Sequence, residues 1–415
     1  MSGHVSIRMY NVGFGDCFLI RIPTSDGERR VLVDCGYHSQ GKGKFTDREL
    51  VTKITQDLQG LPLNVVVATH RHQDHISGFG EPDLWDDIKV DEVWLPFTAE
   101  PSAADHDPGM RAWNGLMKSA ERLLDNNGAL TPDAADFLGA RSDEEKATAA
   151  FMLWNARANK PGIDNLLTGM QKANGQPSLR RFLPGPNDNF PAQFTTPVLP
   201  GVTVNVLGPP KDPAKRKAKK VPSSWGFADA FATAKGGSPF PEEWRIPSGR
   251  LAKGRPFNAN GLKQIRQFND DLSYAASALE GFLNGESLVL VLQIGSARLL
   301  LPGDAEVGTW QTILESPQAL ALAKSATLLK VGHHGSHNAT PLVFVREHLA
   351  KKTPALLSTQ KGTGSFRNGI PFDDLLTGMA DRQMPFARTD QPPTASGAVF
   401  QPDPNGFFVD CVIPI

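Results

Sequence analysis

The sequence predicts an α/β protein in which two β-sheets pack together with helices outside them. Two observations lead there. Apolar, β-branched runs of strand length crowd the first hundred residues and return in the second half of the chain. Stretches with helical spacing lie between those strand-rich halves. The chain has 415 residues, long for one simple core, so length suggests one large domain with insertions or several smaller ones.

The first half opens with "HVSIRMYNV", the Gly-rich "GFGD", "CFLIRI", the turn "PTSDGE" and "RRVLVDCG". "NVVVAT" and "VDEVWLP" follow as further strands. From about Pro108 to Gly175 the texture turns helical. Ser142 with Glu145 forms a capping-box pattern. Ala147, Ala150, Phe151 and Trp154 then recur at helical spacing. That stripe reads as the packing face of an inserted helical layer, with a lid, a homodimer contact or a protein-partner surface as the sharper alternatives.

From Pro209 to Asn260 the chain is rich in Pro, Gly, Ser and Lys and reads as a long surface loop. It carries "KDPAKRKAKK", with Lys211, Lys215, Arg216, Lys217, Lys219 and Lys220. Such a run is either a solvated charge patch or a grip on phosphate backbone. Leu272, Ala275, Ala276, Leu279 and Leu283 then mark a helix leading into "SLVLVLQI". The strands "VTVNVLG", "SLVLVLQI", "ARLLLPGD" and "ATLLKVG" make up the second strand-rich half.

The formal net charge is −1, so no overall positive field attracts nucleic acid, and any such binding needs a local patch. The N-terminus lacks the basic start and apolar run of a signal peptide, and no apolar run is long enough to span a bilayer. A cytoplasmic protein without a membrane role is the expectation. Cys17, Cys35 and Cys411 are few, odd in number and far apart, and read as reduced core residues.

"ATHRHQDHISG" raises the functional question. Three histidines and an aspartate lie within the six residues from His70 to His75. If "NVVVAT" is a strand, His70 and His72 are two apart in extended chain and project the same way, towards one metal. Asp74 and His75 fall where the chain turns and point to a neighbouring position. Imidazole and carboxylate suit zinc, and also manganese or iron. Further ligand types end two apolar runs downstream: Asp304 after Gly303, and His333 and His334 after Gly332. Three strand ends offering metal ligands are hard to explain as surface decoration.

H-x-H-x-D-H at a strand end, then Gly-Asp, then a late histidine, resembles the metallo-β-lactamase superfamily. "MYNVGFGDCFLI", "VLVDCG", "THRHQDHISG", "LGPPK", "SLVLVLQIGSARLLLPGDAE", "LLKVGHHGS" and "RTD" are similar in order to its ComEC-like branch, which includes the hydrolase domain of bacterial competence DNA-uptake proteins. The resemblance implies a four-layer αββα sandwich over residues 1–415, with 108–175 as a helical insertion and 209–260 as a basic loop. It implies that His70 and His72 hold a first metal, that Asp74 and His75 hold a second, and that Asp304 bridges them. The late ligand is one of the paired histidines. A Gly-His-Gly pattern aligns best with His334 and leaves His333 supporting the site. Asp34 matches a buried aspartate that steadies the ligand loop.

The chain departs from the superfamily where most members place one more histidine. It has "LNGESLVL" there, and Asn284 is the candidate ligand, with Ser287 the alternative. Asn284 as a plain turn residue is equally open.

Two divalent ions, Zn or Mn, about 3.5–4 Å apart can share a hydroxide and stabilise charge on a phosphoryl oxygen. The arrangement suits phosphodiester hydrolysis, with Asp74 orienting the hydroxide as well as binding metal. His337 is a candidate proton donor or phosphate contact, and Ser336 a second contact. The expected activity is a metal-dependent phosphodiesterase or nuclease. The alternatives are hydrolysis of a lactone, lactam or thioester by the same centre, and a non-catalytic, metal-stabilised interaction module.

Overall fold

The computed structural model describes residues 3–38, 41, 43–107, 110–111, 159–216, 283–362 and 370–415. The cap and helical stripe read between Ser142 and Trp154 lie outside these residues, as do Lys217, Lys219, Lys220 and most of the helix read before "SLVLVLQI".

The described strands form two sheets. The first contains β1 (His4–Tyr10), β2 (Cys17–Thr24), β3 (Gly27–Cys35), β4 (Leu63–Val67), β5 (Val90–Pro96) and β6 (Leu179–Leu183). It is completed by β14 (Phe400–Pro402) and β15 (Phe408–Pro414), in the order β14-β15-β1-β2-β3-β4-β5-β6. The second contains β7 (Ala192–Phe194), β8 (Val202–Gly208), β9 (Val289–Ile294), β10 (Ala297–Leu301), β11 (Leu328–Lys330), β12 (Ala355–Leu357) and β13 (Phe386–Arg388), in the order β13-β12-β11-β10-β9-β8-β7. The division into two strand-rich halves therefore holds except at the C-terminus. There β15 returns to pair antiparallel with β1, with Cys411 opposite Ile7.

Alternation within the strands explains the layering. Phe18, Ile20 and Ile22 of β2, Val65 and Val67 of β4, Leu290 and Leu292 of β9, and Leu299 and Leu301 of β10 fill one core between the sheets. The opposite sides of the same strands face helices. Leu19, Leu32 and Val66 pack with Leu50, Val51, Ile54 and Leu58 of the helix Asp47–Leu58. Val289, Val291 and Leu300 pack with Trp310 and Ile313 of the helix Val307–Glu315 and with Ala319 and Ala323 of Pro317–Lys324. Three apolar seams separate four layers: helices, sheet, sheet, helices. All five residues of β4 are buried, as expected of an interior parallel strand covered on both faces.

Local chemistry sets the helix ends. The Thr46 hydroxyl accepts the Glu49 N–H, and the Glu49 carboxylate accepts the Thr46 N–H, a reciprocal cap for Asp47–Leu58. Ser316 caps the next helix through the Ala319 N–H, and Pro317 takes its first position. In the Pro/Lys-rich stretch, residues Pro213–Arg216 form a helical turn rather than open loop. Among the described residues, no helix is long and apolar enough to cross a membrane.

Both sheets change from antiparallel to parallel midway. β3, β4, β5 and β6 run parallel, as do β10, β11, β12 and β13. In parallel strands the loops after each C-terminal end collect on one edge, where side chains converge. The two sheets are joined at that edge by the Leu288 N–H, which donates to the Thr69 carbonyl at 2.9 Å.

Candidate metal centre

Each residue of the histidine motif leaves the end of β4. Thr69 and His70 continue the strand direction, and His72 precedes a helical turn, Gln73–Ile76. His70 and His72 face each other, Nε2 to Nδ1, at 3.0 Å. Asp74 and His75 turn to different partners. His334 Nε2 lies 2.9 Å from Asp74 Oδ2, and His75 Nε2 lies 3.1 Å from Asp304 Oδ2. One ligand atom from each of Asp74, His75, Asp304 and His334 falls within 4.8 Å of the other three, and all four residues are buried. The structure thus brings a pair of imidazoles beside a four-membered set, with Asp304 and His334 arriving from the second sheet.

Supporting hydrogen bonds decide which ring nitrogen faces inward. Asp34 Oδ1 accepts the Thr69 N–H at 2.7 Å, and Oδ2 accepts the Thr69 hydroxyl at 2.7 Å. Oδ2 also takes His75 Nδ1 at 2.7 Å. A His75 proton is therefore on Nδ1, and Nε2 is the nitrogen turned towards Asp304. The Thr69 oxygen, already donating to Asp34, accepts from His70 Nδ1 at 3.1 Å, which leaves His70 Nε2 as a lone pair. His334 Nδ1 donates to the Ser358 carbonyl at 3.0 Å, with the same result. The Nε2 atoms of all three rings are turned towards the cage.

Imidazole nitrogens and carboxylate oxygens at this spacing need a proton or a metal ion between them. His75 Nε2 is buried and makes no hydrogen bond despite its closeness to Asp304. Protons respond as that reasoning requires. Burial lowers His75 and His334, but Asp304 and neighbouring carboxylates outweigh it and raise both, His75 strongly. Burial resists ionisation of Asp74 and Asp304, but His75 and the other cationic neighbours hold both well below the usual carboxylate range. Burial dominates at His70 and His72, lowering His72 to about 4, so both are neutral imidazoles at pH 7. Neutral imidazoles at His70 and His72, ionised carboxylates, and protons on His75 and His334 that a divalent cation would displace together make a donor set that fits such a group.

The backbone is held in costly conformations here. Asp34, His333 and His334 all have left-handed φ, at 57°, 47° and 52°. For non-glycine residues that costs about 1–3 kcal/mol each, and it persists only where surrounding contacts over-determine it. Gly36 allows the ligand loop to close on β3: a Cβ there would lie 2.5 Å from the Gln73 carbonyl oxygen. Gly303 has a φ of 53°, and its Cβ would meet Thr69 Cβ at 2.9 Å.

The remaining sequence candidates are placed as follows. Asn284 is buried. Its Nδ2 donates to Glu306 Oε1 at 2.8 Å, and its Oδ1 has no hydrogen-bond partner among the described residues. The Ser287 hydroxyl accepts the Asp304 N–H at 3.1 Å, so it braces the ligand backbone. The backbone N–H of His333 donates to Asp304 Oδ1 at 3.1 Å, while its ring lies 3.8 Å from Glu306. The Ser336 hydroxyl is buried and donates to Asn338. His337 is half-buried, and burial lowers its imidazole, leaving it neutral at pH 7. Lys215 is exposed. Arg216 is placed otherwise than a phosphate grip requires: it is buried, ion-paired with Asp107 and stacked over Phe97 at 5.1 Å. Its guanidinium ties a described end of the basic stretch to the body of the protein. Lys211 donates to the Pro186 and Asp188 carbonyls.

Sequence reasoning missed Asp16 and Lys330. Asp16 was read as part of a Gly-rich turn, yet it is fully buried and its N–H donates to the Asp74 carbonyl at 2.8 Å. Lys330 ends β11, is 3% exposed, and pairs with Asp16 and with Asp304 Oδ1. Burial lowers a lysine, but Asp16 and Asp304 more than offset it and keep this ammonium charged. A lysine closing the apolar run "ATLLK" was the available signal.

A search of curated proteins found no match. Residues 10–93, which span the end of β1 to most of β5 and contain Asp34, His70, His72, Asp74 and His75, match the family model of the metallo-beta-lactamase superfamily.

Proposed function

We propose that the protein is a metal-dependent hydrolase acting on phosphodiester bonds of nucleic acid, as in the ComEC-like branch. The observation that carries the hydrolase reading is the convergence of Asp74, His75, Asp304 and His334 from two sheets, beside His70 and His72. The nucleic-acid reading is supported by the order of the motifs.

His70 and His72 would hold one divalent ion and Asp74, His75 and His334 the other, Asp304 would serve as a further ligand, and Asn284 remains a candidate. When bound, such ions supply Lewis acidity and lower the pKa of water towards neutrality. The protein's own groups do the rest. Asp74, held ionised, accepts a hydrogen bond from the attacking water and orients it. Asp34, Thr69 and Ser358 keep the imidazoles in register. His337, neutral, offers an N–H to a phosphate oxygen or to the leaving oxygen, and the Ser336 backbone lies beside it. Water oxygen joins phosphorus, the ester P–O bond breaks, and the proton that the attacking water loses ends on the leaving oxygen, giving a phosphomonoester and an alcohol.

The test is cleavage of single-stranded and duplex DNA, RNA and cyclic nucleotides by purified protein with Mn²⁺ or Zn²⁺, with Asp74→Ala as control. Metal-dependent cleavage lost in the variant supports the reading. Activity only on lactones, lactams or thioesters transfers the same centre to carbonyl substrates. Absence of every activity with cations bound leaves an interaction module.

A further inference from the structure

We infer that Lys330 is a positioning residue that withholds one oxygen of Asp304 from the cations of the cage and leaves the other to them. The inference rests on the metal reading above and concerns how one ligand is presented.

The two oxygens of Asp304 have different surroundings. Oδ2 faces ligand nitrogens, with His75 Nε2 at 3.1 Å and His334 Nε2 at 3.7 Å. Oδ1 faces donors on the other side: the His333 N–H at 3.1 Å and Lys330 Nζ at 3.3 Å. The ammonium is itself anchored. It donates to the Gly303 carbonyl at 3.0 Å and pairs with Asp16 Oδ2. Asp16 in turn is fastened to the ligand loop through the Asp74 carbonyl. A buried ammonium is costly unless paired and hydrogen-bonded, and here every contact fixes its place behind Asp304.

A carboxylate whose Oδ1 is taken by a fixed ammonium cannot chelate one ion with both oxygens. Asp304 then contributes a single atom, coordination stays low, and a position remains open for water or substrate. Lys330 therefore acts through Asp304, and touches no reacting atom.

Co²⁺ is the probe, because its visible absorption is strong at four- and five-coordinate sites and weak at six-coordinate ones. The experiment titrates Co²⁺ into the full chain, wild type and Lys330→Met. A second variant, Asp16→Asn/Lys330→Met, removes both members of the buried pair and serves where the single change fails to fold. The expected result is Co²⁺ uptake by all folded forms, with visible intensity lost in the variants as Asp304 turns to chelate. A folded variant with the wild-type spectrum overturns the inference, as does a Zn²⁺-loaded wild-type crystal with Asp304 Oδ1 at ligand distance. Failure of the metal reading looks different: the wild-type chain takes up no Co²⁺.

Discussion

His75 Nδ1 stands 2.7 Å from Oδ2 of Asp34, an acceptor 41 residues earlier in the chain. That contact fixes a proton on Nδ1 of His75 and turns Nε2 towards Asp304. It also shows how the sandwich makes a site: β3 supplies the brace and the loop after β4 supplies the imidazole. Asp34→Asn keeps the side-chain shape and tolerates the left-handed φ, yet it cannot satisfy both the Thr69 hydroxyl and His75 as the carboxylate does. We expect Zn²⁺ or Mn²⁺ affinity to fall about 10–100-fold with the fold retained. Competition against a chromogenic chelator, alongside circular dichroism, checks this. Unchanged affinity would show that the brace does not set the ring.

Cations that bind only the folded chain must stabilise it. At a free metal concentration one hundred times Kd the gain is about 2.7 kcal/mol. The melting temperature of metal-stripped protein should rise on adding Mn²⁺ or Zn²⁺, and Asp304→Ala should abolish the rise. Differential scanning fluorimetry reads both, and a rise of equal size in the variant would place the stabilising ion elsewhere.

Leu290 sits between the sheets at 1% exposure, on a strand whose alternate residues Val289 and Val291 face the helices. Leu290→Ala should cost about 2–5 kcal/mol, the loss expected when a filled core position becomes a cavity. Urea unfolding measures it. A loss below ~1 kcal/mol would mean that the inter-sheet core is not closely packed there.

Much of this was legible in the sequence because strand alternation and ligand spacing are local. The runs around Phe18, Val65 and Leu299 announce themselves by period, and His70 to His75 announce themselves by proximity. The return of β15 to β1 was not legible, because pairing between Cys411 and Ile7 leaves no short-range trace. Lys330 and Asp16 were missed for the same reason: each looks misplaced until the other is beside it. Arg216 misled in the opposite direction, since a guanidinium in a basic run looks solvated until Asp107 and Phe97 are found around it.

Far from the cage, Asp57 gathers the Tyr10 hydroxyl at 2.8 Å, the Arg8 guanidinium at 2.9 Å and the Lys53 ammonium. Burial opposes its ionisation, but the hydrogen bonds from Lys53 and Arg8 outweigh this and hold it below the usual aspartate value. A carboxyl depressed in the folded state contributes stability above its unfolded pKa, about 3.9, and loses it as pH falls through the folded value. Asp57→Asn should therefore cost stability at neutral pH and narrow the gap to wild type under acid. Denaturant midpoints measured from neutral to acid pH test the sign. A gap that widens on acidification contradicts it.

The most direct measurement is anomalous diffraction from crystals loaded with Zn²⁺ or Mn²⁺. Two ions about 3.5–4 Å apart are expected, one on His70 and His72 and one on Asp74, His75 and His334, with Asp304 Oδ2 between them. Anomalous density outside this cage, or none in it at saturating metal, would rule out the binuclear centre.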